Sequence, residues 1–336
     1  MGDRTGTTSI PGEGSMSHPP VSIQSPVGLV LGGGAARGWA HIGVIRALEE
    51  AGVRPAYVAG CSMGALVGAA YAAGALDRLE AFARGLTTRK VVGYMDPVLP
   101  MRGLLGGEVI DTLFDDLLGD RELTDLAVPF CAVASDLATG KEVRLCGGPL
   151  AMAVRASCAL PGVFTPVVHD GRYLVDGGLV NPVPVDVARD MGAKTVIAVD
   201  LSHDVVACGW CAELERQLQG IPEGPLKAAP GANGGAYPNG QPGPGATWAE
   251  RARRWLFKTS RPNVFDVIGA SINIVEANLI RLRLANQPAD LLVRPALGHM
   301  DLWDFANAAN AIEAGRAATN KALAGQVLLQ ARVAAD

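Results

Sequence analysis

The pentapeptide Gly60-Cys61-Ser62-Met63-Gly64 is the first place in this chain where residue types and spacing suggest a reaction. It fits G-x-S-x-G, in which a sharp strand-to-helix turn lifts a serine hydroxyl above a sheet as a nucleophile. Gly60 and Gly64 are the residues such a turn needs, because a Cβ at either would collide across it. The helix that follows is nearly all small residues from 65 to 73, so it can approach a sheet closely, and its N-terminal amides favour negative charge beside Ser62. A chance match is the competing reading in a chain with 42 glycines. The apolar strand before the pentapeptide and the helix after it weigh against chance.

A second cluster, Gly32-Gly33-Gly34-Ala35-Ala36-Arg37-Gly38, follows an apolar strand and opens a helix. Backbone N–H groups in such a loop point at whatever anion sits above the sheet edge. That anion could be a nucleotide phosphate or the oxyanion of acyl transfer. The dinucleotide spacing of glycines at i, i+2 and i+5 fails: a start at Gly32 meets Arg37, and a start at Gly33 meets Ala35. The phosphate-loop pattern lacks its Gly-Lys-Ser/Thr ending. The oxyanion reading needs only adjacent amides near a nucleophile, and the serine turn closes the very next strand. Arg37 could hold the loop or meet a lipid phosphate.

A hydrolytic serine needs a proton acceptor. Five histidines are available, at 18, 41, 169, 203 and 299. His203 and His299 follow the last core strands, where an ordinary Ser–Asp–His order would place a base. Against them stands Asp176-Gly177-Gly178, an acidic residue at a strand end followed by two glycines. Such a turn leaves the carboxylate exposed on the side of an α/β sheet where active sites form, although Asp-Gly is also an ordinary turn. An aspartate near pKa 4 is a weak base for serine, so this assignment requires a desolvating pocket.

These clusters depend on elements that alternate. Strands are expected at 27–31, 57–60, 129–135, 141–145, 172–175, 195–200 and 291–294. Helices are expected at 39–50, 63–73, 108–118, 150–158, 184–191, 248–258 and 264–286, with a last one from about 302. Apolar strands alternating with helices indicate an α/β, doubly wound, mostly parallel sheet with helices on both faces. Residues 1–25, rich in Gly, Ser, Thr and Pro, read as a flexible tail without the features of a secretory signal. Residues 220–245 are crowded with Gly, Pro, Asn and Ala and read as a mobile loop.

Composition narrows the function classes. With 49% hydrophobic and 18% charged residues among 336, the chain can bury a large core. A net charge of -4 and a pI near 5.8 argue against a nucleic-acid partner. The mean hydropathy of +0.22 fits a large core and also allows peripheral contact with a membrane. No stretch is long and apolar enough to span one. Of six cysteines at 61, 131, 146, 158, 208 and 211, most sit in apolar stretches that suit buried free thiols in a reducing compartment, which sets cytoplasmic as the expected location. Cys208-Gly209-Trp210-Cys211 has redox or zinc spacing but no second pair, so a structural role carries more weight. In 248–258, Trp248, Ala252, Trp255 and Leu256 share one helical face and Arg251, Arg254 and Lys258 another. That pattern suits an interfacial helix, a cap on a cleft, or ordinary packing.

Taken together, the clusters resemble the patatin-like phospholipase family, especially its compact bacterial cytoplasmic members. The stretches that carry the likeness are GLVLGGGAARGWAHIGVIRALEEAG, VAGCSMGALVGAAYAAG and SCALPGVFTPVVHDGRYLVDGGLVNPVPVDVARDMGAKTVIAVDLS, spanning roughly 27–202. The resemblance implies a three-layer α/β/α fold and a serine acyl hydrolase acting on phospholipid or lysophospholipid. It implies a Ser62–Asp176 dyad without histidine and an oxyanion hole from Gly33, Gly34, Ala35 and Arg37. Gly60, Gly64, Gly177 and Gly178 would support the elbow and the turn, and no metal or cofactor is implied. Ala35 stands where the family has a third loop glycine. The organisation expected is a tail over 1–25, a catalytic core over 26–202, an insertion with a basic helix over 203–262 and a helical part of the same domain over 263–336. A histidine-based esterase or thioesterase and a non-catalytic lipid-binding module remain the rival readings. Oligomeric state is not legible in the sequence.

Overall fold

The computed structural model describes residues 23–93, 108–204 and 264–333. The strands in chain order are β1 (Val27–Leu31), β2 (Tyr57–Cys61), β3 (Phe130–Asp136), β4 (Glu142–Leu145), β5 (Val167–His169), β6 (Arg172–Asp176), β7 (Thr195–Val199) and β8 (Leu291–Val293). The helices are α1 (Ala40–Glu50), α2 (Met63–Ala72), α3 (Leu76–Arg84), α4 (Thr88–Gly93), α5 (Glu108–Leu118), α6 (Leu150–Ser157), α7 (Val185–Asp190), α8 (Val264–Asn286) and α9 (Ala308–Val333). The expected tail through residue 22, the Cys208/Cys211 pair, the 220–245 loop and the 248–258 helix lie outside the described residues.

All eight strands form one sheet, with β3, β2, β1, β7 and β8 parallel and adjacent in that order. Helices cover both faces, which is why β1 and β7 are buried at every position instead of alternating. Leu29 and Leu31 point into a core shared with α1, α2, α6 and α9, while Val30 points into a second core with α7 and Ile280 of α8. Leu29, Leu31, Phe130 and Ile197 are almost fully buried, each contributing about 1.5–3 kcal/mol by removal from water. α2 is buried nearly all round, as its small apolar residues allow.

The antiparallel strands decide how the site is assembled. β4 occupies one edge of β3, from Ala132 to Ser135. The other edge is shared: β2 fills it up to Cys61 opposite Val133, and β6 takes over with Asp176 opposite Ala134. β2 and β6 therefore run toward each other along one edge and meet end to end. The sequence reading placed Asp176 at an exposed strand end; the structure instead buries it to 1% exposure, because this meeting point is roofed by other elements.

Several local expectations are revised. α3, α4 and β5 were not anticipated. α3 buries only Leu76, Leu79 and Ala83 within a charged segment, and β5 is three residues long, so neither leaves a strong periodic signal. The last helix begins at Ala308, after a 3-10 turn over Phe305–Asn307. The reading of Cys131 and Cys146 as free thiols is overturned: they form a disulfide. The β3–β4 ladder pairs Ala132 with Leu145 and so brings their neighbours 131 and 146 side by side, a register that spacing alone does not reveal. Disulfides form in oxidising surroundings, so cysteine usage no longer supports the cytoplasmic expectation. Cys61 and Cys158 remain free. No helix among the described residues is long and apolar enough to cross a membrane.

Candidate active site

Ser62 lies at the junction of β2 and α2 with φ 53° and ψ -127°. An L-residue enters this region only when its surroundings hold it there, and nucleophile elbows are where such strain is found. The surroundings are specific. The Ser62 N–H donates to Ser157 Oγ at 2.9 Å, and Ser157 Oγ donates to the Val133 carbonyl at 2.6 Å. Gly64 has no room for a side chain, since a Cβ there would overlap the Leu31 carbonyl.

The Ser62 hydroxyl donates to Asp176 Oδ2 at 2.6 Å. The other oxygen, Oδ1, accepts from Gly178 N–H at 2.8 Å, which fixes the carboxylate plane. The backbone behind it is held as well: Asp176 N–H donates to the Ala159 carbonyl at 2.9 Å, and Ser135 Oγ donates to the Asp176 carbonyl at 2.7 Å. Burial raises the Asp176 pKa to about 6, against the opposing pull of hydrogen bonds from Ser62, Gly178 and Cys61. This is the desolvation that a carboxylate needs to serve as a base. Cys61 is buried beside it, and burial pushes its thiol pKa well up, so it stays neutral.

The glycine loop distributes its amides unevenly. Gly32 N–H donates to the Val199 carbonyl, Gly33 N–H to the Pro182 carbonyl at 3.0 Å, and Arg37 N–H to the Gly34 carbonyl at 3.1 Å. The amides of Gly33, Ala36 and Arg37 are thus engaged within the chain, Ala36 with the Leu302 carbonyl, whereas those of Gly34 and Ala35 have no backbone acceptor among the described residues. Met63, directly after the serine, adds an N–H at the first turn of α2, where amides lack intrahelical partners. Ala35 takes φ 47°, a left-handed conformation that costs a non-glycine residue about 1–2 kcal/mol. Ala35→Gly should therefore raise stability by up to about 1 kcal/mol in urea denaturation, and unchanged or lower stability would disprove this.

Arg37 is fully buried, so it does not meet a lipid phosphate; its Nη2 donates to Asn273 Oδ1 at 3.0 Å. His41 is also buried, with Nε2 donating to the Gly32 carbonyl at 2.8 Å, and burial lowers its pKa to about 4. It is a neutral brace for the loop. His169 and His203 lie against Asp170 and Asp204, respectively, and among the described histidines none is hydrogen-bonded to Ser62. No three His, Cys, Asp or Glu side chains gather as a metal site among the described residues.

The structure thus brings Ser62, Asp176, Gly177, Gly178 and the glycine loop together, although they come from three separate stretches. Sequence reasoning missed Ser135 and Ser157, which look like any core serine until the strands are paired. It also missed Asn273 and Glu276 of α8. The only signal was a lone carboxylate three residues after an asparagine in the apolar run SINIVEANLI.

A family model for patatin-like phospholipase matches residues 29–189. An uncharacterised NTE family protein of Mycobacterium bovis is 34% identical over 328 residues, covering 88% of this chain and 91% of that one. Patatin-like phospholipase domain-containing protein 6 of Homo sapiens is 39% identical over 187 residues, 52% of this chain but only 13% of that protein. Among solved structures, VipD from Legionella pneumophila gives a TM-score of 0.36 at 15% identity, covering 58% of this chain and 52% of that one. The fold defines a three-layer α/β/α protein of mostly parallel sheet. The chain belongs to the patatin-like phospholipase family, and that membership supports lipid hydrolase activity in general.

Proposed function

We propose that this protein is a serine acyl hydrolase that cleaves fatty-acyl esters of phospholipids or lysophospholipids through a Ser62–Asp176 dyad. The observation that carries the reading is the 2.6 Å hydrogen bond from a strained, buried serine to a buried carboxylate. Asp176 takes the proton as Ser62 Oγ attacks the ester carbonyl. The amides of Gly34, Ala35 and Met63 receive the oxyanion, with the positive end of α2 behind them. Collapse of the tetrahedral species breaks the ester C–O bond, and the proton passes from Asp176 to the departing alcohol or lysolipid. Water, deprotonated by the same carboxylate, then releases the fatty acid and restores the serine.

The test is fatty-acid release from phospholipid and lysophospholipid, together with labelling by a fluorophosphonate that phosphonylates activated serines. Turnover is expected in the wild type, with the label on Ser62, and His203→Ala and His299→Ala should retain it. An essential histidine would replace the dyad by a conventional triad. Absence of both turnover and labelling would favour a lipid-binding module.

A further inference from the structure

A second carboxyl group lies within the site. Glu276 of α8 is only 5% exposed, and its Oε1 lies against both Gly178 of the Asp176 turn and Gly33 of the glycine loop. A Cβ built on Gly178 would overlap Glu276 Oε1, and one built on Gly33 would stand 3.5 Å from Glu276 Oε1 and 3.7 Å from Ser62 Cβ. The carboxyl therefore sits between the Asp176 turn and the glycine loop, on the same side as the nucleophile. One turn earlier on α8, Asn273 accepts from Arg37 of that loop. α8 is thus tied to the loop by one side chain and seated between loop and turn by the next.

We propose that Glu276 is a positioning residue of the hydrolytic site, its carboxyl seated between the glycine loop and the Asp176 turn and holding the two in register. This rests on the dyad reading above. The charged and titratable groups that face it are Asp176 from β6, Arg37 from the glycine loop and Cys61 from β2. Burial raises its pKa to about 8, helped by the charge on Asp176 and opposed by Arg37. Asp176 ionises first, near 6, so a window opens in which the base is charged and Glu276 is not. Ionisation of Glu276 at higher pH puts a second negative charge beside the base. That charge opposes the oxyanion and strengthens the existing pull between Glu276 and Arg37 of the loop. Glycine at 178 is what leaves space for this carboxyl, since a Cβ there would overlap Glu276 Oε1.

The experiment compares pH profiles of lysophospholipid hydrolysis and of fluorophosphonate labelling for wild type, Glu276→Gln and Glu276→Ala. Wild-type rates should fall about tenfold per pH unit above about 8, as one ionisation requires. In Glu276→Gln that alkaline fall should disappear when rates are scaled to the variant's own maximum. Glu276→Ala should lose at least about tenfold in kcat near pH 7 with KM little changed, the pattern of a group acting on the transition state, and the Gln variant should recover most of that loss. An alkaline limb that persists in Glu276→Gln overturns the proposal, as does an Ala variant with wild-type kcat. Should wild type label at Ser62 with this pH pattern but hydrolyse no lysophospholipid, only the substrate assignment fails. No labelling at any pH overturns both readings.

Discussion

Asp176→Asn should lower kcat for ester hydrolysis by about 10²–10⁴-fold while leaving the protein folded. Asparagine is close in size and keeps an oxygen for the Gly178 N–H, so the 2.8 Å bond that orients residue 176 can survive. It cannot take the proton that Ser62 now directs at Oδ2. Ser62→Ala should be at least as damaging. The wild-type rate should also drop as pH falls through about 6, where Asp176 becomes protonated. A stability measurement separates lost chemistry from lost fold. The folded pKa of Asp176 is raised above its unfolded value near 3.8, so between 3.8 and 6 the folded chain binds a proton that the unfolded chain does not. By linkage, Asp176 costs stability increasingly as pH rises through that window, and the cost persists above it. Asp176→Asn should accordingly melt no lower than wild type at pH 7–8. A variant that is folded and fully active would remove Asp176 from the mechanism.

Gly64→Ala should abolish activity by a different route, through the fold, at a cost of about 3 kcal/mol or more. Its Cβ would overlap the Leu31 carbonyl and lie 2.6 Å from the Gly32 carbonyl oxygen. Both obstacles are backbone, and neither can rotate away as a side chain would. Relief requires α2 to lift from β1, which moves Ser62 off Asp176 and disturbs the start of the glycine loop. Gly147→Ala is the matched control, because nothing lies within 4 Å of a Cβ there. Urea denaturation and hydrolysis of the two variants should diverge sharply. Equal stability of Gly64→Ala and Gly147→Ala would show that the elbow tolerates a side chain and that its close packing is not what holds the serine.

The packing around Gly64 also shows why the elbow could be read from residue types. A G-x-S-x-G between an apolar strand and a small-residue helix encodes its geometry locally, since backbone sterics at 60 and 64 leave few alternatives. The same holds for the parallel sheet, whose buried strands read as continuous apolar runs. Asp176 was legible as a candidate but not as a base. Its charge state depends on desolvation, and desolvation comes from β6 meeting β2 on one edge of β3 under the roof of α8.

Ser135, Ser157, Asn273, Glu276 and the Cys131–Cys146 bridge belong wholly to the tertiary structure. Each matters because of a partner 15 or more positions away in the chain, and no local period or spacing reports such pairs. The allocation of loop amides is of the same kind, since it took the distant Pro182 and Leu302 carbonyls to claim Gly33 and Ala36, while Gly34 and Ala35 have no backbone acceptor among the described residues. By itself, then, the sequence determined the nucleophile turn, the glycine loop, the candidate carboxylate and the layered α/β class, because local sterics and hydrophobic patterning encode them. Which groups are desolvated, which donors stay open and which second carboxyl faces the serine were decided only by tertiary packing, because burial and hydrogen-bond partnership are properties of the assembled chain.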